Sequence, residues 1–67
     1  MIDCKINKEL KIGSHISFNC GKSLIDGYIR EKINLDRGDI SFLIETEDNK
    51  FCRVKHRNLD LIHIYES

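Results

Sequence analysis

Alanine, glutamine, proline and tryptophan are all absent from this 67-residue chain. Losing alanine removes the best helix former and turns attention to strands. No apolar run approaches the roughly 18 residues of a membrane-spanning helix, and no basic-then-apolar signal segment opens the chain. Asp3 and Lys5 interrupt the only early hydrophobics. A cytoplasmic address without a membrane partner is expected. Net charge is missing too: 11 basic residues balance 11 acidic ones. Long-range attraction to nucleic acid or an anionic surface is therefore not written in the total, and such binding needs a local patch. Cysteine occurs in the wrong arrangement for a framework. Cys4, Cys20 and Cys52 are odd in number and far apart, whereas disulfide scaffolds and zinc ribbons show even counts and close pairs. Reduced thiols are expected. Length excludes as well, since a core this small is worth about 3–5 kcal/mol and can hardly give side chains up to a deep pocket.

What the chain does have is isoleucine, eleven times, a residue suited to pleated, half-buried surfaces. Residues 1–12 form an N-terminal segment that reads two ways. Ile2, Ile6 and Leu10 make one short helical face, while Ile2, Cys4 and Ile6 alternate as a first strand. Residues 13–67 read as one domain. Ile16, Phe18 and Cys20 alternate inward, and Gly21-Lys22-Ser23 turns the chain. Residues 24–33 resume with Ile25, Gly27, Ile29 and Ile33 inward and Tyr28, Arg30 and Lys32 outward. A loop over 34–39 leads to Ile40, Phe42 and Ile44, and a polar hairpin over 47–50 leads to Cys52 and Val54. Residues 57–60 predict a single helical turn, and 61–65 a last strand. The predicted core is Ile16, Phe18, Ile25, Ile29, Ile40, Phe42, Ile44, Val54, Leu59 and Ile62. Five short strands with turns about every ten residues predict an all-β small barrel, because closure removes exposed edges.

Gly21-Lys22-Ser23 matches the end of a phosphate-binding loop, yet the chemistry is lacking. Such a loop reads GxxxxGK[ST] and opens a helix whose amides hold the phosphate. Here Ile16 stands where the first glycine belongs, and the residues after Ser23 alternate like a strand. It reads as a turn. His15, His56 and His63 lack the short spacing that lets one element supply two metal ligands. Cys20 and Cys52 fall inward, where a thiol acts as a small hydrophobe. The carboxylates Asp36, Asp39, Glu47 and Asp48 sit in turns. No enzyme, metal or cofactor is expected.

One constellation stands out. Residues 50–57, KFCRVKHR, carry Lys50, Arg53, Lys55 and Arg57 and no acid. Alternation places Phe51, Arg53 and Lys55 outward, beside the outward Tyr28, Arg30 and Lys32 and flanking Ser41, Leu43 and Glu45. Cations for phosphates and rings for base stacking are the chemistry of a single-stranded nucleic-acid platform. The plain alternative is a solvent face on which these cations pair with Glu31 and Glu45 or lay their stems on Leu43.

From Lys11 to Ile64 the pattern resembles the SH3-like small barrels of the KOW and Tudor type. Lys11-Ile12-Gly13, Ile16 and Phe18 are similar to their first strand, and Asp26-Gly27-Tyr28-Ile29 to their glycine-bearing second. Val54 through Asn58-Leu59, Leu61 and Ile62 resembles their last hairpin strand, helical turn and closing strand. The resemblance implies a five-stranded barrel with a short helical turn before the last strand, binding nucleic acid, methylated tails or proteins without chemistry. A narrower resemblance is to the bacterial Sm-like RNA chaperones, carried by Asn19-Cys20-Gly21, Leu24, Gly27 and Val54-Lys55-His56. It implies RNA contact through Lys55 and His56. The chain departs from that family in lacking the glutamine of its N-terminal helix, in having Asn34 where an acid is expected, and in a longer 34–39 loop.

A non-enzymatic binding module is thus expected. Its partner is RNA or single-stranded DNA through Tyr28, Arg30, Lys32, Leu43, Phe51, Arg53, Lys55 and His56. The alternative is a protein-binding adaptor or inhibitor acting on a host protein, as phage- or mobile-element accessory proteins do.

Overall fold

Turn chemistry sets the path of the chain. The computed structural model describes residues 4–65, with side-chain burial from Ile6 onward. Strand β1 (His15–Cys20) reverses through Gly21-Lys22 into the long β2 (Ser23–Asn34), with Cys20 opposite Ser23. Gly21 takes φ 63°, which glycine adopts without steric cost. A single 3-10 turn, Asp36–Gly38, joins β2 to β3 (Ile40–Thr46). The hairpin to β4 (Phe51–Lys55) closes through Thr46 N–H donating to the Lys50 carbonyl at 2.8 Å. A tight turn closed by Asn58 N–H on the Lys55 carbonyl, 2.9 Å, then leads to β5 (Asp60–Tyr65). The expected helical turn before the last strand is this hydrogen-bonded turn, and the 3-10 geometry falls earlier in the chain.

The fold is all-β: five antiparallel strands in the order β4-β3-β2-β1-β5, preceded by a short helix α1 (Cys4–Lys8). Of the two readings of the first segment, the helical one holds over these residues; Ile2 lies outside the described residues. Ile16, Phe18, Ile29, Phe42, Ile44 and Leu61 are essentially without solvent contact, joined by Leu10 and Leu59. One flat sheet under a five-residue helix would leave much of that face wet. The sheet is therefore strongly curled, in keeping with extents of 32 × 25 × 23 Å. No helix among the described residues is long and apolar enough to cross a membrane.

Two bulges correct the simple alternation. Between β2 and β3 the register passes from Ile29 opposite Ile44 to Glu31 opposite Leu43, so Arg30 is the extra residue. Beyond it the faces swap. Lys32 now lies opposite the core residue Phe42, and its amine donates to the Lys8 carbonyl at 2.8 Å; Ile33 lies opposite Ser41 on the outer side. Both were expected the other way round. Between β1 and β5 the register passes from Ser17 opposite His63 to Phe18 opposite Leu61, leaving Ile62 as the extra residue. Ile62 is 47% exposed and Leu61 takes the core place expected for it. The expected Ile25, Ile40 and Val54 pack against the core partly buried.

The helix is docked by a buried asparagine. Asn7 Nδ2 donates to the carbonyls of His56 at 2.8 Å and Leu59 at 2.9 Å, tying α1 to the turn before β5. Leu10 follows into the core.

Gly27 marks the closest approach of β2 and β3. A Cβ there would meet Ile44 Cγ2 at 2.6 Å and the Glu45 carbonyl oxygen at 3.0 Å. The backbone oxygen cannot swing aside as a side-chain tip would. Gly27→Val is expected to lower the melting temperature despite valine's better strand propensity. Phe42→Ala, at a fully buried position, is expected to cost about 3–5 kcal/mol, close to the whole stability of so small a domain. Thermal and denaturant melts check both; a stabilised Gly27→Val or an unaffected Phe42→Ala would contradict this packing.

Candidate nucleic-acid interface

In an antiparallel sheet, residues directly opposite one another share a face. Pairing therefore lays three rows across β2, β3 and β4 on the outer side: Tyr28, Glu45 and Phe51; then Glu31, Leu43 and Arg53; then Ile33, Ser41 and Lys55. Tyr28, Leu43, Phe51, Arg53 and Lys55 thus lie where the sequence placed them, and Phe51 is 61% exposed. Arg30, held outward by its bulge, extends over the Tyr28 ring at 5.3 Å while its Nε donates to Glu45 Oε1 at 2.7 Å. That pair offsets the Arg30 charge. Arg53 and Lys55 make no ion pair among the described residues, so they are the face's available cations.

Two expected site residues lie elsewhere. Lys32 reaches α1 from the inner side, for the bulge reason already given. His56 is 1% exposed, because it continues the inward parity of Cys52 and Val54 and the turn folds over it. Its Nε2 lies 3.7 Å from Asp39 Oδ1, which also accepts from Arg57 Nε at 3.0 Å. In this conformation His56 meets no outside ligand.

The sequence reading missed the other half of the face. His15 stacks on Tyr28 with ring centroids 4.3 Å apart and 14° between planes, and on Tyr65 at 4.4 Å and 30°. His63 meets Tyr65 edge-on at 4.6 Å. Arg30, Tyr28, His15, Tyr65 and His63 therefore run as one row across β2, β1 and β5. Lys11, Ser14, His15, Tyr28 and Tyr65 border an open depression of about 630 Å3 at its centre. A signal for part of this row existed. A two-residue turn sets Cys20 against Ser23, and counting five back and five on from that pair brings His15 against Tyr28. Tyr65 joins only because the Ile62 bulge turns it outward.

His15, Asp26 and Glu47 bring potential metal-ligand atoms within 4.8 Å of one another, on segments too far apart in sequence to suggest it. The thiols offer less. Burial pushes the Cys52 thiol up, and neighbouring Cys20 adds to the shift, so Cys52 keeps the weakly nucleophilic protonated form. Cys20, expected inward, is exposed at the end of β1. No family model matches the chain, and comparisons with curated proteins and with solved structures find no similar chain.

Alkylation with iodoacetamide near neutral pH is expected to modify Cys20 ahead of Cys52, as peptide mass mapping over time reads directly. Equal or reversed rates would contradict the burial of Cys52.

Proposed function

We propose that this chain is a non-enzymatic binding module of the small-barrel kind, and that its outer face binds single-stranded nucleic acid. The observation that supports this is the continuous row of Arg30, Tyr28, His15 and Tyr65 beside the unpaired Arg53 and Lys55. Rings give stacking surface to bases of any sequence, and cations placed along the same face meet phosphates. With no net charge to draw a polyanion from afar, attraction is local, and recognition of short unpaired segments fits better than wrapping of long duplex. The glycine-bearing second strand pressed against β3 and the strongly curled sheet support the resemblance to the SH3-like and Sm-like barrels.

A second reading, a protein-binding adaptor, is supported by a different observation. Strands β4 and β5 are the two ends of the sheet, and β5 exposes Ile62 and Ile64. An edge strand with exposed apolar side chains suits addition of a partner's strand.

Titration of labelled single-stranded RNA and DNA at low salt separates the two. Arg53→Gln and Lys55→Gln are each expected to weaken binding to all sequences and to reduce the salt slope by about one. Tyr28→Ala or Phe51→Ala is expected to cost about 1–3 kcal/mol with the slope nearly intact. Absence of binding at about tens of micromolar under those conditions would remove the nucleic-acid reading and leave the adaptor.

A further inference from the structure

We infer that His15, Asp26 and Glu47 form a site for one divalent transition-metal ion of the zinc type on the outer face, beneath the ring stack. The site stands apart from the nucleic-acid reading and does not depend on it. Among the described residues it is the one place where three or more potential ligand side chains converge. The ligands come from three segments: β1, β2 and the turn after β3. Pairing brings them together. Asp26 faces Ser17, two positions from His15 on the same side of β1, and Thr46 faces Gly27, so Glu47 leaves the sheet beside Asp26.

The geometry is close to what an ion requires. With all three ligand atoms within 4.8 Å of one another, some point lies no more than about 2.8 Å from each. Zinc bonds of about 2.0–2.2 Å need each atom to draw in by less than about 1 Å. Glu47 is exposed in a turn and free to make that movement.

A separate observation points to a ligand. His15 Nε2 is enclosed and has no hydrogen-bond partner. A buried polar atom in that state is costly, and coordination would relieve it. The imidazole is also oriented in advance, clamped between Tyr28 and Tyr65. The Tyr65 hydroxyl in turn donates to Asp26 Oδ1 at 3.5 Å, the kind of outer contact that steadies a ligating carboxylate.

The donor set selects the ion. Two carboxylates balance a double positive charge, and an imidazole nitrogen favours zinc over the oxygen-seeking magnesium and calcium. Three protein ligands leave a fourth tetrahedral position to water.

The test titrates Zn2+ alone into the whole chain against a chromophoric chelator, with Mg2+ as comparison. One Zn2+ per chain is expected, with no competing Mg2+ binding. His15→Gln, Asp26→Asn and Glu47→Gln are each expected to weaken binding by more than about tenfold. A Cys20→Ser, Cys52→Ser double variant is expected to bind as the parent does, and the Co2+ form to lack the charge-transfer band of a thiolate ligand. Metal-free melting curves serve as the folding control. Glu47→Gln changes an exposed turn and keeps the test decisive if His15→Gln fails to fold. The inference is overturned by absence of one-to-one binding or by binding that survives Glu47→Gln. Loss of binding in the cysteine variant, or a thiolate band with Co2+, overturns it equally.

Discussion

Each side chain in a β-strand is assigned to a face by its place in the pleat, and in this chain two single-residue bulges do the assigning. The sheet is the only extended layer available, so one of its faces must supply the core and the other any binding surface. An extra residue at Arg30 and another at Ile62 decide which side chains go where. The first keeps Arg30 over Tyr28 and turns Lys32 inward to the end of α1. The second places Leu61 in the core and His63 and Tyr65 outside. Without it, plain alternation from Leu61 would bury Tyr65, and the stack on His15 would not exist. Bulges also increase local twist, in line with the curl that closes a core under so small a helix.

Much of this was legible in the sequence because turn chemistry is local. Gly21-Lys22 and the 47–50 segment mark their hairpins, and Ile16, Phe18, Ile29, Phe42 and Ile44 declare the inward face by alternation alone. Bulges are less legible, since one added residue alters no composition and leaves each neighbouring stretch looking regular. In 61–65, LIHIY, alternation favours Ile62 and Ile64 as the inward pair. Only the facing strand reveals that Leu61 and Ile64 share the inner side across an extra residue. Asn7 was hidden for another reason. A buried amide that holds backbone carbonyls 49 and 52 residues away has no local signature.

The candidate site divides along the same line. Tyr28, Leu43, Phe51, Arg53 and Lys55 were legible because β3 and β4 keep regular alternation between their turns. His15, His63 and Tyr65 were not, because their meeting depends on pairing between the first and last strands. His56 was drawn from a motif resemblance rather than from the pleat, and the pleat places it inside. His15 emerges as the side chain shared by both proposals: its faces touch two tyrosine rings, and its enclosed nitrogen lies in the group with Asp26 and Glu47.

If the bulges assign the faces, neighbouring positions in β5 must respond oppositely to a charge. Thermal melting of Leu61→Lys and Ile62→Lys measured side by side tests this most directly. A lysine in place of Leu61 forces an unpaired charge into the core and should abolish cooperative folding. A lysine in place of Ile62, on the bulge and open to water, should leave stability within about 0.5 kcal/mol of the parent. A tolerated Leu61→Lys with an unfolded Ile62→Lys would restore simple alternation, and with it remove the outward Tyr65 on which the binding face depends.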